Sequence, residues 1–354
     1  MKRTTKYVAL DVHQATTSAS VREEGGRVIA RTVLPTEGQA LVEFFRGMRG
    51  AVHVTFEEGT QAEWLYGLVT PLVERVVVCD RRGQAGLGNK GDQVDADQLS
   101  ELLRRGGLRA VYHGSAHHAD LRELTRSYRT LVEDSTRVML RLKALFRARA
   151  IPTRGTRVYH PRYRGQWLSQ LPDRGVRFRA EALYRELDVL RALRPRAKAE
   201  MLAEAHRDPA WPVLQRIPFL GPIRLAQLLA TMRTPWRFRT KRHLWAYAGL
   251  AVVTRSSADY TVVAGVPVRR RRPPKTRGLN RNHNRMLKDV FKGAATAAAA
   301  RPGPLHDFYQ AMINRGMRAE LARVTLARKL AALTLRLWKK GEPYDPTQLT
   351  LPAR

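Results

Sequence analysis

Hydrophobic and polar positions alternate from Lys6 to Val12, again from Thr17 to Arg22, and a third time from Arg27 to Leu34 after the turn residues Glu23-Glu24-Gly25-Gly26. A period of two marks a half-buried strand, so these three runs read as an antiparallel meander. The spacing becomes helical from about Glu37 to Met48, returns to a strand at Val52 to Phe56, and is helical again from about Gln61 to Val73. A fifth strand, Arg75 to Asp80, follows. Three meander strands and then alternating helices and strands describe a mixed sheet covered by helices, about 110 residues in all.

The ribonuclease H type of fold has this order of elements, and it is the architecture expected for residues 1–115. From Leu121 the pattern changes to Leu121, Leu124, Tyr128, Leu131, Ser135, Val138, Leu142 and Leu145, a regular alternation of three and four that sustains a heptad seam. A second helix carries Leu183, Leu187, Leu190 and Leu193 before Pro195, with an Arg-, Gly- and Pro-rich segment between the two. This coiled-coil middle, residues 116–208, closes on itself as an antiparallel hairpin or joins another protomer. Ser135 in the seam reads as a register device and leaves both open. Beyond it, Ile217-Pro218-Phe219-Leu220-Gly221-Pro222 reads as a tight turn opening a helix, which either presents backbone N–H groups to phosphate or joins a plain helical hairpin. A helix from about Lys241 to Tyr247, an extended run from Ala251 to Val268, and helices from about Asn284 to Ala300 and Leu305 to Trp338 make residues 209–354 mostly α.

Charge divides the chain more sharply than periodicity does. The formal net charge is +33, yet residues 1–110 carry 15 Lys and Arg against 14 Asp and Glu, so almost all of the excess lies beyond them. Between Pro209 and Lys288 there are 17 basic residues and one acid, Asp259. Solvated faces usually mix both signs, and a field of one sign calls for a polyanion, of which nucleic acid is the obvious one. Its densest stretch, Arg269-Arg270-Arg271-Arg272-Pro273-Pro274-Lys275-Thr276-Arg277, is expected to be a loop or arm that tracks a backbone. The one cysteine, Cys79, allows no internal disulfide and points to a reducing compartment. No apolar run approaches the roughly 18 to 20 residues of a membrane span, and a cytoplasmic protein is expected.

The candidate chemistry lies in the near-neutral part. Asp11 ends an apolar strand, Glu57 and Glu58 end another, and Asp92 and Asp95 open a helix at i and i+3, on one face. Hard carboxylate oxygens converging in this way suit Mg²⁺, and two such ions can clamp the attacking and leaving oxygens of a phosphoryl displacement. Helix capping and dipole complementarity would equally account for Asp92 and Asp95.

Three groups of residues, Tyr7-Val8-Ala9-Leu10-Asp11-Val12, Phe56-Glu57-Glu58-Gly59-Thr60 with Trp64, and Lys90-Gly91-Asp92-Gln93-Val94-Asp95-Ala96, together resemble the DEDD transposases of the insertion-sequence 110 family. Ile217 to Pro222, Tyr247-Ala248-Gly249-Leu250 and Arg255-Ser256-Ser257 resemble that family's second domain, in the same order. The resemblance implies a RuvC-like domain with Asp11, Glu58, Asp92 and Asp95 as its four carboxylates, Glu58 being taken over Glu57 from the spacing to Gly59-Thr60 and Trp64. It also implies a serine nucleophile that links covalently to DNA. Ser257 matches that position better than Ser256, although Ala258 stands where the family usually has glycine.

A recombinase that excises and inserts its own mobile element is the expectation that follows. Its partners would be double-stranded DNA at the element ends and target, a structured guide RNA encoded by the element, and further copies of the chain as a dimer or tetramer. Arg255, Arg269, Arg270, Arg271, Arg272, Lys275 and Arg277 are the expected nucleic-acid contacts. The competing readings are a RuvC-type junction nuclease, in which the serine is incidental, and a DNA-binding protein with a degenerate metal site.

Overall fold

The computed structural model describes residues 4–80, 92–114, 117–255, 260–269 and 275–349. The chain divides into two compact units, Met1–Ala116 and His117–Arg354. Among the described residues no helix is long and apolar enough to cross a membrane.

The first unit is a five-stranded sheet of β1 (Thr5–Val12), β2 (Thr16–Glu23), β3 (Val28–Pro35), β4 (Ala51–Glu57) and β5 (Arg75–Cys79), with helices α1 (Gly38–Arg46), α2 (Ala62–Val69) and α3 (Asp92–Arg104). The strand order is β3-β2-β1-β4-β5; β1, β2 and β3 pair antiparallel, whereas β1, β4 and β5 run parallel. All five expected strands are present. The two faces of the sheet differ in residue size. Val8, Leu10, Ala19, Val21, Val52, Val54, Phe56 and Val78 pack with Leu41 and Phe45 of α1 and Leu65 and Val69 of α2 in one apolar core. The alternate positions are small: Ala9 and Cys79 pack with Leu99 of α3, and Ser18, Ser20 and Thr55 are also buried. Small residues let α3 lie close to the sheet.

Polar contacts fix how α3 lies. The Ser20 hydroxyl donates to Asp97 Oδ1 at 2.6 Å, Arg31 meets Asp97 at 2.9 Å, and Arg22 donates to the Asp97 carbonyl at 3.0 Å. One turn on, Glu101 gathers Arg104 at 2.7 Å, Arg22 at 3.4 Å and Arg105. The hydrogen bonds and charges of Arg104 and Arg105 hold the Glu101 carboxyl down from the ordinary 4.5 to about 2, against the opposing effect of burial. Burial pushes Asp97 up, but its bonds to Arg31 and Ser20 and the charge of Arg22 outweigh it, so its net shift is downward too.

The second unit is helical, with α4 (His117–Arg147), the short α5 (Arg164–Leu168), α6 (Arg174–His206), α7 (Trp211–Leu214), α8 (Pro222–Met232), α9 (Lys241–Tyr247), α10 (Arg285–Ala299), α11 (Pro304–Asn314) and α12 (Ala319–Lys340). The long helices α4 and α6 pair within the chain as an antiparallel hairpin. Val138, Leu142 and Leu145 of α4 meet Leu183, Tyr184 and Leu187 of α6, whereas Leu121 and Tyr128 share a core with Met201 and Ala205. Of the heptad positions, Ser135 is buried and satisfies itself by donating to the Leu131 carbonyl at 2.6 Å.

Three sequence expectations need correction here. The second long helix does not stop at Pro195 but runs on to His206; a proline costs one backbone hydrogen bond, and the helix-forming segment beyond it buries Met201 and Ala205. The single helix expected from Leu305 to Trp338 is two, α11 and α12, because Gly316 takes φ +83°, outside the helical region. The basic stretch expected as a loop is in part strand, and with the run from Ala251 to Val268, extended as expected, it forms a β-ribbon of two strand pairs: β6 (Val252–Arg255) pairs with β9 (Lys275–Leu279), and β7 (Tyr260–Val263) with β8 (Val266–Arg269). Pro273 and Pro274 precede β9 rather than interrupt it, so the strand keeps its donors.

The base of the ribbon is held at Gly249, which takes φ +64° and where a Cβ would lie 2.5 Å from the His283 ring. Gly249→Ala is therefore expected to destabilise the protein by about 1–3 kcal/mol through strain and overpacking, measured by denaturant unfolding; an unchanged midpoint would show that this junction has room. A second expectation concerns acid. The lowered Glu101 pKa means that its stabilisation is complete above pH 4.5 and is lost as pH falls toward about 2. Glu101→Gln should flatten the fall of Tm across that window relative to wild type, and identical pH profiles would remove Glu101 as a source of stability.

Candidate active site

Asp11 is the penultimate residue of β1, and its side chain is 17% exposed. Alternation along the strand puts it on the same face as Ala9, which packs on α3. In β4, which runs parallel to β1, Leu10 is level with Phe56, so Glu57 lies beside Asp11. Glu57 is in turn level with Cys79 of β5, another residue of the α3 face. Asp11 and Glu57 are therefore neighbours on adjacent strands, at the carboxyl ends, on one side of the sheet.

The third contribution comes from the direction of α3. Arg104, at its end, lies against Gly26 in the β2–β3 turn, while Asp97 is bonded to Ser20, which is level with Ala9. The helix thus runs from the Asp11 end of β1 toward its start. Five residues from Asp97 back to Asp92 span about 7.5 Å of helix, equal to about two strand residues. That brings the first turn of α3, with Asp92 and Asp95, to the level of Asp11. Asp95 is partly buried there. Of Asp92 the backbone alone is described, and Lys90 and Gly91, read as a helix start near phosphate, lie outside the described residues.

Glu58 does not share this face. Its backbone N–H continues the β4–β5 ladder by donating to the Cys79 carbonyl at 2.9 Å. Its side chain turns instead to His113, whose Nε2 is 2.6 Å from Glu58 Oε2. His113 Nδ1 lies 3.4 Å from Glu63 of α2, and the ring packs 5.1 Å from Tyr66. The preference for Glu58 over Glu57 in the carboxylate set is thus at odds with strand alternation: the last residue of β4 faces α3, and the residue after it faces α2. The sequence reasoning also passed over His113 and His13. The latter is 3.3 Å from Asp11, and its position two residues beyond the carboxylate was a readable signal. His113 carried none, being brought to Glu58 from 55 residues away.

The donors at this edge are carboxylate oxygens, the chemistry that a hard divalent cation takes. Asp11, Glu57, Asp95 and Asp92 are the residues that would hold one, and in donor type they fit it. Among the described residues no three such side chains converge closely enough to form a ligand set as they stand.

In the second unit Ser256 and Ser257 lie outside the described residues, as do Arg270, Arg271 and Arg272. Arg255 ends β6, Arg269 ends β8, and Lys275 and Arg277 lie in β9, so the described backbone places these four on the ribbon. The turn at Ile217 to Pro222 is anchored by buried Ile217 and Leu220, and Arg224 donates to the Phe219 carbonyl at 3.1 Å.

Two family profiles match the chain. One, described as a transposase and bearing the DEDD and IS110 designation, covers residues 8–149; the other, described as a transposase of the IS116/IS110/IS902 family, covers residues 212–310. A curated relative, the insertion element IS110 uncharacterized 43.6 kDa protein of Streptomyces coelicolor, is 31% identical over 149 residues. That stretch is 42% of this chain and 33% of the relative, so the likeness spans about a third of the relative's length. With one profile on the carboxylate-bearing unit and the other on the basic unit, in the order read from the motifs, the chain belongs to the IS110 family of transposases.

Proposed function

We propose that the protein is a DNA recombinase that excises and inserts its own mobile element, with a RuvC-like first unit and a serine nucleophile in the second. The observation that carries this reading is the juxtaposition of Asp11 and Glu57 on adjacent parallel strands, with the first turn of α3 at the same level. A divalent cation, Mg²⁺ in the cell, would be held there by Asp11, Glu57, Asp92 and Asp95 and would supply charge stabilisation to a phosphodiester in displacement. Glu58, paired with His113, keeps a second negative charge beside that set and orients the β4 end. Ser257 is the nucleophile. Its Oγ forms a bond to phosphorus as one P–O bond to deoxyribose breaks, the hydroxyl proton passes to a base, and the departing sugar oxygen takes up a proton. Ser256 is the alternative. Because each exchange conserves the number of phosphodiester bonds, reversal of the step on a new strand completes transfer.

The second unit supplies the field that holds the substrate. Double-stranded DNA meets the ribbon through Arg255, Arg269, Lys275 and Arg277 and the intervening Arg270 to Arg272. These cations contact phosphates and carry no sequence information. Choice of sequence is assigned to base pairing by a structured RNA, whose backbone the same basic unit accommodates. A dimer or tetramer would bring two element ends together, with the pair of long helices extending the seam.

The chemistry is checked on labelled DNA in Mg²⁺, resolved on a denaturing gel with and without protease. Asp11→Ala, Glu57→Ala, Asp92→Ala and Asp95→Ala are each expected to lower cleavage by 10²-fold or more, roughly the loss of one group that stabilises transition-state charge, while Glu58→Ala should leave a larger residue of activity. Ser257→Ala should bind nucleic acid normally and form no protease-sensitive adduct. Cleavage without an adduct in the wild-type protein would replace the recombinase by a RuvC-type nuclease; full activity in Glu57→Ala with loss in Glu58→Ala would restore Glu58 to the set.

Replacing Arg269 to Arg272 by glutamine should weaken binding to all duplex sequences alike and reduce the slope of log affinity against log salt by roughly 0.9 for each phosphate no longer neutralised. An unchanged slope would remove the ribbon from the backbone.

A further inference from the structure

A cleft of about 920 Å³ opens in the second unit among α9, α11 and α12. Six cations line it, Arg239, Lys241, Arg328, Lys329, Arg336 and Lys339, and among the described residues no Asp or Glu does. Several of these cations lie against aromatic rings: Lys241 Nζ is 5.7 Å from the Trp245 centroid, Lys329 Nζ 5.6 Å from that of Phe308, and Lys339 Nζ 5.2 Å from that of Trp236. Trp236 itself is 71% exposed.

The cations are held in place. Arg328 donates through Nε to the Leu250 carbonyl at 2.6 Å, Trp245 donates to the Arg328 carbonyl at 3.0 Å, and Lys339 donates to the Phe238 carbonyl at 2.7 Å. Burial first, and then the charges of Arg336 and Lys241, push the Lys329 ammonium below its ordinary pKa. Converging like charges that oppose one another in the folded protein are offset when an anion enters among them.

Three features define the anion. The number and spread of the cations call for several phosphates rather than one carboxylate. The exposed Trp236 beside Lys339 offers a face on which a base can stack. A concavity of this size takes a ligand of small-molecule dimensions and excludes a duplex. A cationic groove joined to an aromatic platform is how proteins hold an unpaired strand.

We propose that this cleft binds single-stranded nucleic acid, with backbone phosphates among Lys241, Lys329 and Arg336 and an adjoining base stacked on Trp236. The proposal rests on the reading of this unit as one that acts on nucleic acid, and it adds to the ribbon a second site of different specificity. The strand is an unpaired segment of DNA released during exchange or an unpaired segment of RNA.

The test is fluorescence anisotropy with the full chain and four labelled probes: a twelve-residue oligothymidylate, the matching oligouridylate, a duplex DNA and a duplex RNA. Trp236→Ala and the double variant Lys241→Gln/Lys329→Gln are each expected to weaken single-strand binding about tenfold and to change duplex binding by less than about threefold. The double variant should also unfold at the same or a higher temperature than wild type without ligand, because removing crowded charge relieves repulsion. A stronger loss on thymidylate identifies the strand as DNA, and a stronger loss on uridylate identifies it as RNA. Unchanged single-strand affinity, equal losses on single strands and duplexes, or a lowered unfolding temperature in the double variant would each overturn the proposal. Wild-type protein that binds none of the probes would overturn the nucleic-acid reading itself, whereas wild-type binding that survives in both variants would overturn the cleft alone.

Discussion

The parallel pairing of β1 with β4, under a helix fixed in direction by Asp97 and Glu101, is the constraint on which the candidate active site depends. Strand alternation decides which carboxylates share a face, and register decides which are level. A slip of one residue in either strand would exchange Glu57 for Glu58 and turn the set toward α2. The small residues under α3, Ala9, Ser18, Ser20 and Cys79, allow the helix close enough for its first turn to reach the same edge. Their hydroxyls are not idle packing. The bond from Ser20 to Asp97 sets the height of the helix on the sheet, and the ion pairs of Arg22, Arg31 and Arg104 keep it from sliding.

The two units solve opposite electrostatic problems. In the first, basic residues close to the sheet, Arg22, Arg31, Arg104 and Arg105, are matched to Asp97 and Glu101. In the second, cations far outnumber acids, and several rest on aromatic rings and backbone carbonyls. Arg237 on Tyr247, at 4.4 Å, shows the same device next to the ribbon. Such contacts orient a cation beside an aromatic face.

Much of this was legible in the chain. Strands β1, β2, β4 and β5 follow from period-two alternation because each buries an apolar face in the core with α1 and α2, to which β3 adds Leu34, and Asp11 stood out because a charge at the end of Tyr7-Val8-Ala9-Leu10 breaks a buried pattern. Where reading failed, the cause lay in tertiary context. Pro195 is a strong local stop, yet packing beyond it carries α6 on to His206. Strand parity separates Glu57 from Glu58, a distinction that spacing to Gly59 and Trp64 does not carry, and the choice between them as a ligand belongs to the proposal above. His113 is brought beside Glu58 by the segment that follows α3, where Val111 donates to the Val78 carbonyl and Asp80 donates to the Arg109 carbonyl. The partner of the heptad seam was open in the sequence, and the contacts of Leu142 and Leu187 show it to be the same chain's other long helix.

A single divalent-cation site built from the ends of β1 and β4 and the start of α3 would take up manganese with no substrate present. Electron paramagnetic resonance of the free aquo ion, followed as the full chain is added, measures that uptake without recourse to activity. Stoichiometric uptake by wild type is expected, with its loss in Asp11→Asn and in Glu57→Gln and its retention in Glu58→Gln. Uptake that survives in Asp11→Asn, or a wild-type protein that takes up no manganese, would contradict such a site.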